Sequence, residues 1–256
     1  MFGPRRADAR KAKEANMVAK LKVYAELGSE GGCILYTFDP PGLLSCGDTP
    51  DEAMAAAPRE AARLRRFLAD CGRLDLLAEP WKDGETPEIV VAETVRRRGK
   101  STRGNTRATF KRDLEPVRPK EVPGLLAILE HQRKTLWTLK DRLPAGAYGF
   151  KSLPRRMTIQ EQLTHIAACD RWYLSRYWRD LPTLRRAKDV WDKLALNREL
   201  AVERLGHLSP EDRAAARTAD GQVWTARKLF RRFMYHERFH SDAIERDLAL
   251  FLKGAP

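Results

Sequence analysis

The first hundred residues alternate short apolar runs with turn-forming residues, which predicts a small α+β unit. Runs rich in β-branched and aromatic residues occur at residues 18–27, 32–38, 43–46 and 89–95. Such runs, separated by glycine or proline, are typical of short strands. Between the last two runs, alanine and leucine recur at helical spacing over about residues 50–70, after Thr49 and Glu52 in a capping-box pattern. Pro58 falls inside this helix and predicts a kink or a break.

From residue 122 onwards the periodicity is helical and the strand signals disappear. Four amphipathic segments follow, at residues 123–142, 157–178, 183–206 and 222–252. Thr158 is expected to cap the second segment, and Asp220-Gly221 is expected to open the fourth. Four such helices joined by connections of roughly 5–15 residues predict a four-helix bundle.

Residues 96–120 separate these two halves. The segment contains two glycines, two prolines and ten basic residues, with almost no apolar periodicity, which is typical of a linker. The fold class is therefore predicted as a multidomain combination of α+β and all-α. The predicted organisation is a basic tail at 1–17, an α+β domain at 18–95, a basic linker at 96–120 and a helical bundle at 121–256.

The charge of the chain follows the same division. The 256 residues carry a formal net charge of +13, and 43% of them are hydrophobic, which excludes wholesale disorder. The net charge is +5 over residues 1–22, −8 over 23–95, +8 over 96–120 and +8 over 121–256. The basic linker could follow a nucleic-acid backbone, but Phe110 is its only aromatic residue and no base-reading motif accompanies it. We therefore favour packing of this solvated linker against the acidic block.

Cysteine content and hydropathy indicate the compartment. Cys33, Cys46, Cys71 and Cys169 form no CxxC pair and no disulfide framework, so a reduced environment is expected. The basic N-terminus lacks the apolar stretch of a signal peptide, and no apolar run approaches the ~18 residues of a membrane span. The sequence thus predicts a cytoplasmic protein of bacterial type without a membrane partner.

Three of the five histidines have the spacing of metal ligands. His236 and His240 lie four residues apart in the fourth predicted helix, and His165 lies in the second. Residues four apart share a helix face, so His236 and His240 can bind one ion, with His165 as a third ligand from a neighbouring helix. Three neutral imidazoles suit Zn²⁺ or Ni²⁺ and leave coordination positions open. The same pattern also fits ordinary buried histidines.

Neighbouring residues leave further alternatives. The stretch from His236 to His240 fits the HExxH pattern, but its third ligand would have to come from upstream, which argues against a metalloprotease. Cys169 could be a fourth ligand, although a small buried core residue is favoured. The remaining acidic neighbours could support the imidazoles, although solvated positions are favoured for each; they are Glu161, Asp170 and Glu237.

The helical half resembles the DinB/YfiT-like superfamily over about residues 122–253. The resemblance rests on LTHIAACDRWY around His165 and on VWTARKLFRRFMYHERFH, which contains His236 and His240. In that family a histidine on the second helix and a His-x3-His pair on the fourth hold a divalent ion, often nickel or zinc. The resemblance implies the same role for these three histidines. It also implies a metal-dependent transferase or hydrolase acting on a small molecule, with a low-molecular-weight thiol as cofactor in some relatives.

The N-terminal half resembles HicB-like antitoxin domains, which have a partial ribonuclease-H-like fold. The matching stretch is YTFDPPGLLSCGDTPDEAMAAA, preceded by Gly31-Gly32. Its TFDPPG departs from the family's usual Phe-Pro-Asp-Leu-Pro-Gly by placing the aromatic residue one position later. The resemblance implies a domain that binds a protein partner. A converging carboxylate set for nuclease chemistry is not expected from Glu26, Asp39 and Glu93.

Two hypotheses follow. In the first, the bundle is a metal-dependent transferase or hydrolase on a small-molecule substrate, and the N-terminal domain is an accessory interaction domain. In the second, the protein is a non-catalytic regulator of antitoxin type that binds protein or, less favoured, nucleic acid, and its metal is structural. Three histidines with an open position favour the first, because structural zinc sites usually have four protein ligands. A homodimer is compatible with either hypothesis.

Overall fold

The computed structural model describes residues 18–101, 106–153 and 156–254. The predicted basic tail at 1–17 lies outside the described residues. The N-terminal half consists of β1 (Lys20–Gly28), β2 (Cys33–Phe38), β3 (Pro41–Gly47), α1 (Pro50–Asp70) and β4 (Glu88–Arg97). The four strands form one mixed sheet in the order β3-β2-β1-β4, with β1 and β4 parallel and the other pairs antiparallel. The predicted small α+β unit is confirmed.

Strand β2 is buried on both faces, and its alternating side chains pack into different layers. Cys33 and Leu35 pack on the side of α1, whose alanines allow the helix to approach the sheet closely. Tyr36 and its same-face neighbours pack on the opposite side against Phe110 and Tyr235, which come from outside the sheet. The sheet is therefore covered on both faces, and the second cover is supplied by residues that follow β4 in the chain.

Helix α1 runs without interruption through Pro58. The predicted break is wrong, and the alternative of a kink at Pro58 stays a prediction. The predicted cap is confirmed: Thr49 Oγ1 accepts a hydrogen bond of 3.2 Å from the Glu52 amide.

The C-terminal half contains four long helices. They are α2 (Val122–Trp137), α3 (Ile159–Tyr177), α4 (Val190–Gly206) and α6 (Ala226–Leu252), with the short α5 (Pro210–Ala214) between the last two. Helices α2 and α3 each contact both α4 and α6, so the four enclose a common interior. This arrangement agrees with the predicted helical half. Among the described residues, no helix combines the length and apolarity that crossing a bilayer requires.

Two helix starts and one hairpin differ from the prediction. Helix α4 begins at Val190 instead of near residue 183. The fourth helix was expected to begin at Asp220-Gly221. These residues form a hairpin instead, between β5 (Arg217–Ala219) and β6 (Gln222–Trp224). Asp220 and Gly221 have φ values of 51° and 67°, as the tight turn of a hairpin requires. The prediction of no strands beyond residue 122 is therefore wrong, because Asp-Gly favours this turn over a helix start.

The basic segment between the halves is folded into the molecule. Phe110 is 0% exposed and makes edge contacts with Tyr24, Tyr36 and Phe38. Arg231 of α6 donates to both carboxylate oxygens of Asp113, at 3.0 and 2.7 Å. Five of the residues 106–117 are buried, so this stretch is not fully solvated, although Arg107, Lys111 and residues 114–116 are exposed. The domain boundary placed there stays a prediction, since one hydrophobic cluster contains residues of both halves.

Ion pairs join the acidic N-terminal half to its basic neighbours, as the charge distribution suggests. Arg97 contacts Glu26 at 2.9 Å, and Arg112 contacts Asp39 at 2.6 Å. From α6, Arg238 contacts Glu60 of α1 at 3.1 Å. The negative charge of residues 23–95 is therefore partly neutralised within the same chain.

Helix α3, which carries His165, begins with a complete capping box. Thr158 Oγ1 accepts from the Glu161 amide at 3.1 Å, and the Glu161 carboxylate accepts from the Thr158 amide at 2.7 Å. We expect Thr158→Ala to lower the free energy of unfolding by about 1 kcal/mol, because the amide loses its acceptor. Urea denaturation measures the change, and Thr164→Ala on the exposed face of the same helix is the control, with an expected change within about 0.5 kcal/mol. Equal effects of the two substitutions would contradict a capping role.

Candidate metal centre

Helix α3 carries His165 and Cys169 on one face. Residues four apart lie nearly above one another, because each residue turns an α-helix by about 100°. The Cys169 Sγ atom is 3.6 Å from His165 Nε2 and 3.8 Å from His165 Nδ1. Both side chains are partly exposed, so this side of the cluster faces solvent.

Helix α6 supplies His236 and His240 from the opposite side. The helix begins at a conventional cap, where Thr225 Oγ1 accepts from the Lys228 amide at 3.1 Å. Residues 226–237 of this helix are all buried, and after them only the face that carries Ile244 and Leu248 is buried. His236 and His240 lie on that buried face, and each is 3% exposed.

The three predicted histidines meet between α3 and α6. The ring centroids of His165 lie 4.9 Å from those of both His236 and His240, and the latter two are 4.6 Å apart. His236 Nε2 is 3.1 Å from His165 Nε2. One ligand atom from each of His165, Cys169 and His236 lies within 4.8 Å of the others. His240 is not part of that set, and it joins the cluster through its ring contacts with the other two histidines. The helix spacing therefore predicted a real spatial cluster.

Burial keeps all three imidazoles neutral. It lowers the pKa of His165 from its ordinary value, and together with His165 it lowers the pKa of His240 to about 3. The pKa of His236 is lowered well below its ordinary value by burial and by the two neighbouring rings. A neutral imidazole has a nitrogen lone pair available for a metal ion, which a protonated ring lacks. The cluster is thus in the protonation state that ligation requires.

The Cys169 thiol, in contrast, is in the protonated form, which does not bind a metal ion. Burial, with the nearby Asp170 carboxylate, raises the pKa of Cys169 to about 12. A thiol binds metal as the thiolate, so ligation by Cys169 would have to release a proton that the site holds firmly. The histidines are the ready donors, and Cys169 is a protonated neighbour.

Two separations within the cluster, between His165 and His236 and between Cys169 and His165, match those of ligands to one first-row ion. Two nitrogens at about 2.0–2.1 Å from a tetrahedral zinc ion lie about 3.3 Å apart, and a sulfur ligand lies roughly 3.6 Å from such a nitrogen. The observed values are 3.1 Å for His165 and His236 and 3.6 Å for Cys169 and His165. In the part of the chain that the structure describes, the buried His240 Nδ1 has no hydrogen-bond partner. The donors present fit a divalent ion.

Two of the acidic neighbours belong to a buried ionic cluster rather than to the protein surface. Asp170 and Glu237 are each 1% exposed, so the solvated positions predicted for them are wrong. Arg133 Nη2 donates to Asp170 at 2.8 Å and to Glu237 at 2.6 Å, and Arg198 contacts the same two carboxylates. We call these four residues, one from each long helix, the ionic quartet. Glu161 is exposed, as predicted, and serves in the α3 cap.

The ionic quartet removes Glu237 from metal-site proton transfer. Burial opposes ionisation of this carboxyl, but the Arg133 and Arg198 guanidiniums outweigh it and hold the pKa of Glu237 below its ordinary value. A general base needs a free lone pair near the reacting proton, whereas the oxygens of Glu237 are held by arginine. The glutamate of the HExxH match is therefore not free to act as the general base that a metalloprotease mechanism requires.

Sequence reasoning missed the residues around the histidines. The Tyr173 ring lies edge-on to His236 with centroids 5.6 Å apart, and its hydroxyl accepts from Arg232 at 3.1 Å. The Phe239 ring covers His240 at 5.0 Å. The spacing offered a signal, because Tyr173 lies one turn after Cys169 and Arg232 one turn before His236.

The remaining histidines and the N-terminal carboxylates lie apart from this cluster. The His131 ring contacts the Phe67 ring edge-on, and His207 is the residue that caps the C-terminal end of α4. Each sheet carboxylate has its own partner: Glu26 pairs with Arg97, Asp39 with Arg112, and Glu93 accepts from the Lys111 amide at 2.9 Å.

No protein-family model matches the chain, and no curated protein is detectably similar to it.

The buried imidazoles make stability depend on pH when no metal is bound. Below pH 6.5 the unfolded chain takes up protons that the folded His240, with its pKa of about 3, does not. Stability is thus fully present above pH 6.5 and falls as the pH decreases. We expect His240 alone to lower the free energy of unfolding by about 2 kcal/mol between pH 7 and pH 5.

Urea denaturation of EDTA-treated protein at the two pH values measures this effect. His240→Gln removes the titrating group and should reduce the pH dependence, whereas His207→Gln, at an exposed position outside the cluster, should leave it unchanged. Stability that is constant between pH 7 and pH 5 would contradict the neutral, buried assignment.

Proposed function

We propose that His165, His236 and His240 bind one divalent metal ion between α3 and α6. The observation that carries this proposal is the contact of three neutral imidazoles from two helices, with centroids 4.6–4.9 Å apart. Buried polar groups in proteins are nearly always hydrogen-bonded, and the unpartnered His240 Nδ1 departs from that rule. Coordination of one ion by the three rings would account for both features.

Zinc or nickel is the favoured ion. Imidazole nitrogen is a borderline donor that suits late first-row divalent ions, whereas magnesium and calcium prefer oxygen. Among the described residues, no carboxylate forms a hydrogen bond with the three rings. The donor set therefore favours Zn²⁺ or Ni²⁺ over the hard ions.

The proposed activity is a metal-dependent transfer or hydrolysis on a small molecule. Such an ion lowers the pKa of a bound water or thiol and so supplies a nucleophile at neutral pH. The protein contributes three ligands and leaves a coordination position, which distinguishes catalytic from structural zinc sites. His165 and Cys169 form the solvent-facing side, where a substrate or a low-molecular-weight thiol would enter. His236 and His240 form the buried side, from which water is excluded.

The proposed relationship is to the DinB-like bundles for the helical half and to HicB-like domains for the N-terminal half. The order of three sheet strands, a helix and a fourth strand parallel to the first supports the second of these. In this proposal the N-terminal half is an accessory interaction domain. It packs directly on α6, since Arg238 Nη2 contacts Glu60 of α1 at 3.1 Å, so a partner bound there would act on the helix that carries two ligands.

Metal analysis of the full chain tests this proposal. Purified protein is stripped with EDTA, loaded separately with Zn²⁺, Ni²⁺ and Co²⁺, desalted and measured by mass spectrometry of the elements. We expect one ion per chain, and a cobalt spectrum of low coordination number that changes when a thiol is added. Failure to retain any of the three ions would overturn the proposal.

A further inference from the structure

A groove separate from the histidine cluster runs along the junction of the two halves. Its volume is about 580 Å³, within the range of roughly 300–1,000 Å³ that is typical of small-molecule sites. Strand β1 and the loop after α1 form one wall, and the chain between residues 112 and 125 forms the other. Arg227 of α6 closes one side.

The floor of the groove is apolar. Leu21, Leu77 and Trp81 line it and belong to the buried core. Tyr24 and Phe38 add two aromatic rings, which contact each other with centroids 4.5 Å apart. A ligand in this groove would therefore place an apolar or aromatic group against a preformed surface.

The rim of the groove is positively charged. Seven Lys or Arg side chains line it, against four Asp or Glu. The four carboxylates already have partners within the walls: Asp39 pairs with Arg112, Asp75 with Arg73, Glu121 with Arg227, and Glu79 accepts from the Lys20 amide. Lys20 pairs with Glu88 outside the lining at 3.6 Å, so the positive charge available to a ligand is that of Lys22 and Lys120.

Several donors of the groove remain without partners among the described residues. Lys22 and Lys120 are exposed and make no ion pair there. Two buried N–H groups of lining residues, Trp81 Nε1 and Arg112 Nε, have no hydrogen-bond acceptor. Unsatisfied buried donors are unfavourable and uncommon. Both N–H groups lie beneath the surface, so the donors that a ligand in the groove reaches directly are the exposed ammonium groups of Lys22 and Lys120.

We propose that this groove binds a small organic anion, in which a carboxylate, sulfonate or phosphate is attached to an apolar or aromatic group. The anionic end would lie near Lys22 and Lys120, and the apolar end against the floor. The site is independent of the metal centre. The groove shares no lining residue with the histidine cluster, and nine residues of α6, about 13 Å, separate Arg227 from His236.

Charge argues against the chain's own N-terminal residues as the occupant. Residues 1–17 contain five Lys or Arg and two Asp or Glu, so they carry the same sign of charge as the groove. Like charges disfavour that contact. A separate anionic molecule is the complementary ligand.

Fluorescence titration with 8-anilinonaphthalene-1-sulfonate tests the proposal, because this probe combines a sulfonate with aromatic rings. The full chain is used with EDTA, so that the metal centre does not contribute. We expect saturable binding of one probe per chain, and binding of the uncharged analogue N-phenyl-1-naphthylamine that is at least about fivefold weaker. Binding of the two probes with equal affinity would overturn the proposal, since charge would then have no part in recognition.

Charge reversal at the rim locates the site. Lys22→Glu and Lys120→Glu are each expected to weaken binding of the sulfonate by at least about fivefold. Lys134→Glu, at an exposed position on α2 outside the groove, should change it by less than about twofold. Circular dichroism shows whether each variant is folded. If only one of the two rim variants folds, that variant is sufficient for the test. Binding that is non-saturable, or that all three substitutions alter equally, would show that this groove is not the site.

Discussion

Replacing Glu237 by glutamine is expected to lower the free energy of unfolding by about 3–5 kcal/mol. The carboxylate lies between Arg133 Nη2, at 2.6 Å, and Arg198 in the interior of the four helices. Glutamine keeps the size of the side chain but removes its charge. The two guanidiniums would then share the single carboxylate of Asp170, and one buried positive charge would lack compensation.

Urea denaturation of metal-free protein measures this effect. The matched control is Glu245→Gln on the same helix, whose half-exposed carboxylate reaches Arg142 only at 3.5 Å; it should change stability by no more than about 0.5 kcal/mol. The double variant Glu237→Gln/Arg198→Met removes one charge of each sign. We expect it to recover part of the loss, because the interior is neutral again. A Glu237→Gln variant within about 1 kcal/mol of the unmodified protein would contradict a tightly coupled quartet.

The ionic quartet also orients the helices that carry the candidate ligands. Asp170 directly follows Cys169 on α3, and Glu237 directly follows His236 on α6. The arginines of α2 and α4 contact both carboxylates, so they fix the rotation of α3 and α6 about their axes. The face that carries the imidazoles is fixed by the same contacts. The buried ion pairs therefore help to set the geometry of the candidate metal centre.

The sequence allowed prediction of those features that depend on local spacing. His236 and His240 share a face because they are four residues apart, and the structure places both on the buried side of α6. The caps at Thr49 and Thr158 were likewise predictable, since each involves a residue only three positions away.

Features that depend on contacts between distant residues were not predictable. Charged side chains are mostly exposed, so Asp170 and Glu237 were expected in solvent; their arginine partners lie on other helices, 28 to 104 residues away. The basic segment was expected to be solvated for the same reason. Phe110 and Asp113 are buried in it because Tyr36 of the sheet and Arg231 of α6 supply their contacts.

Substituting glutamine for His236 or His240 is expected to weaken metal binding by more than about 100-fold. Loss of an outer-shell partner alone typically weakens binding 10- to 100-fold, and these substitutions remove a ligand itself. The measurement is competition for Zn²⁺ against a chromophoric chelator, with the fold checked by circular dichroism. His207→Gln is the matched control, because His207 is exposed and lies outside the cluster. Unchanged affinity in either cluster variant would contradict the assignment of that histidine.

Cys169→Ser decides between a catalytic and a structural metal. If the metal has only the three histidines as protein ligands, serine should change its affinity by less than about threefold, because no bond between the metal and sulfur would be lost. The cobalt form should then lack thiolate charge-transfer absorption. A large loss of affinity together with that absorption would mean that Cys169 completes a four-ligand site. Such closed sites are structural, and the protein would then be expected to act through binding rather than through metal-assisted transfer or hydrolysis.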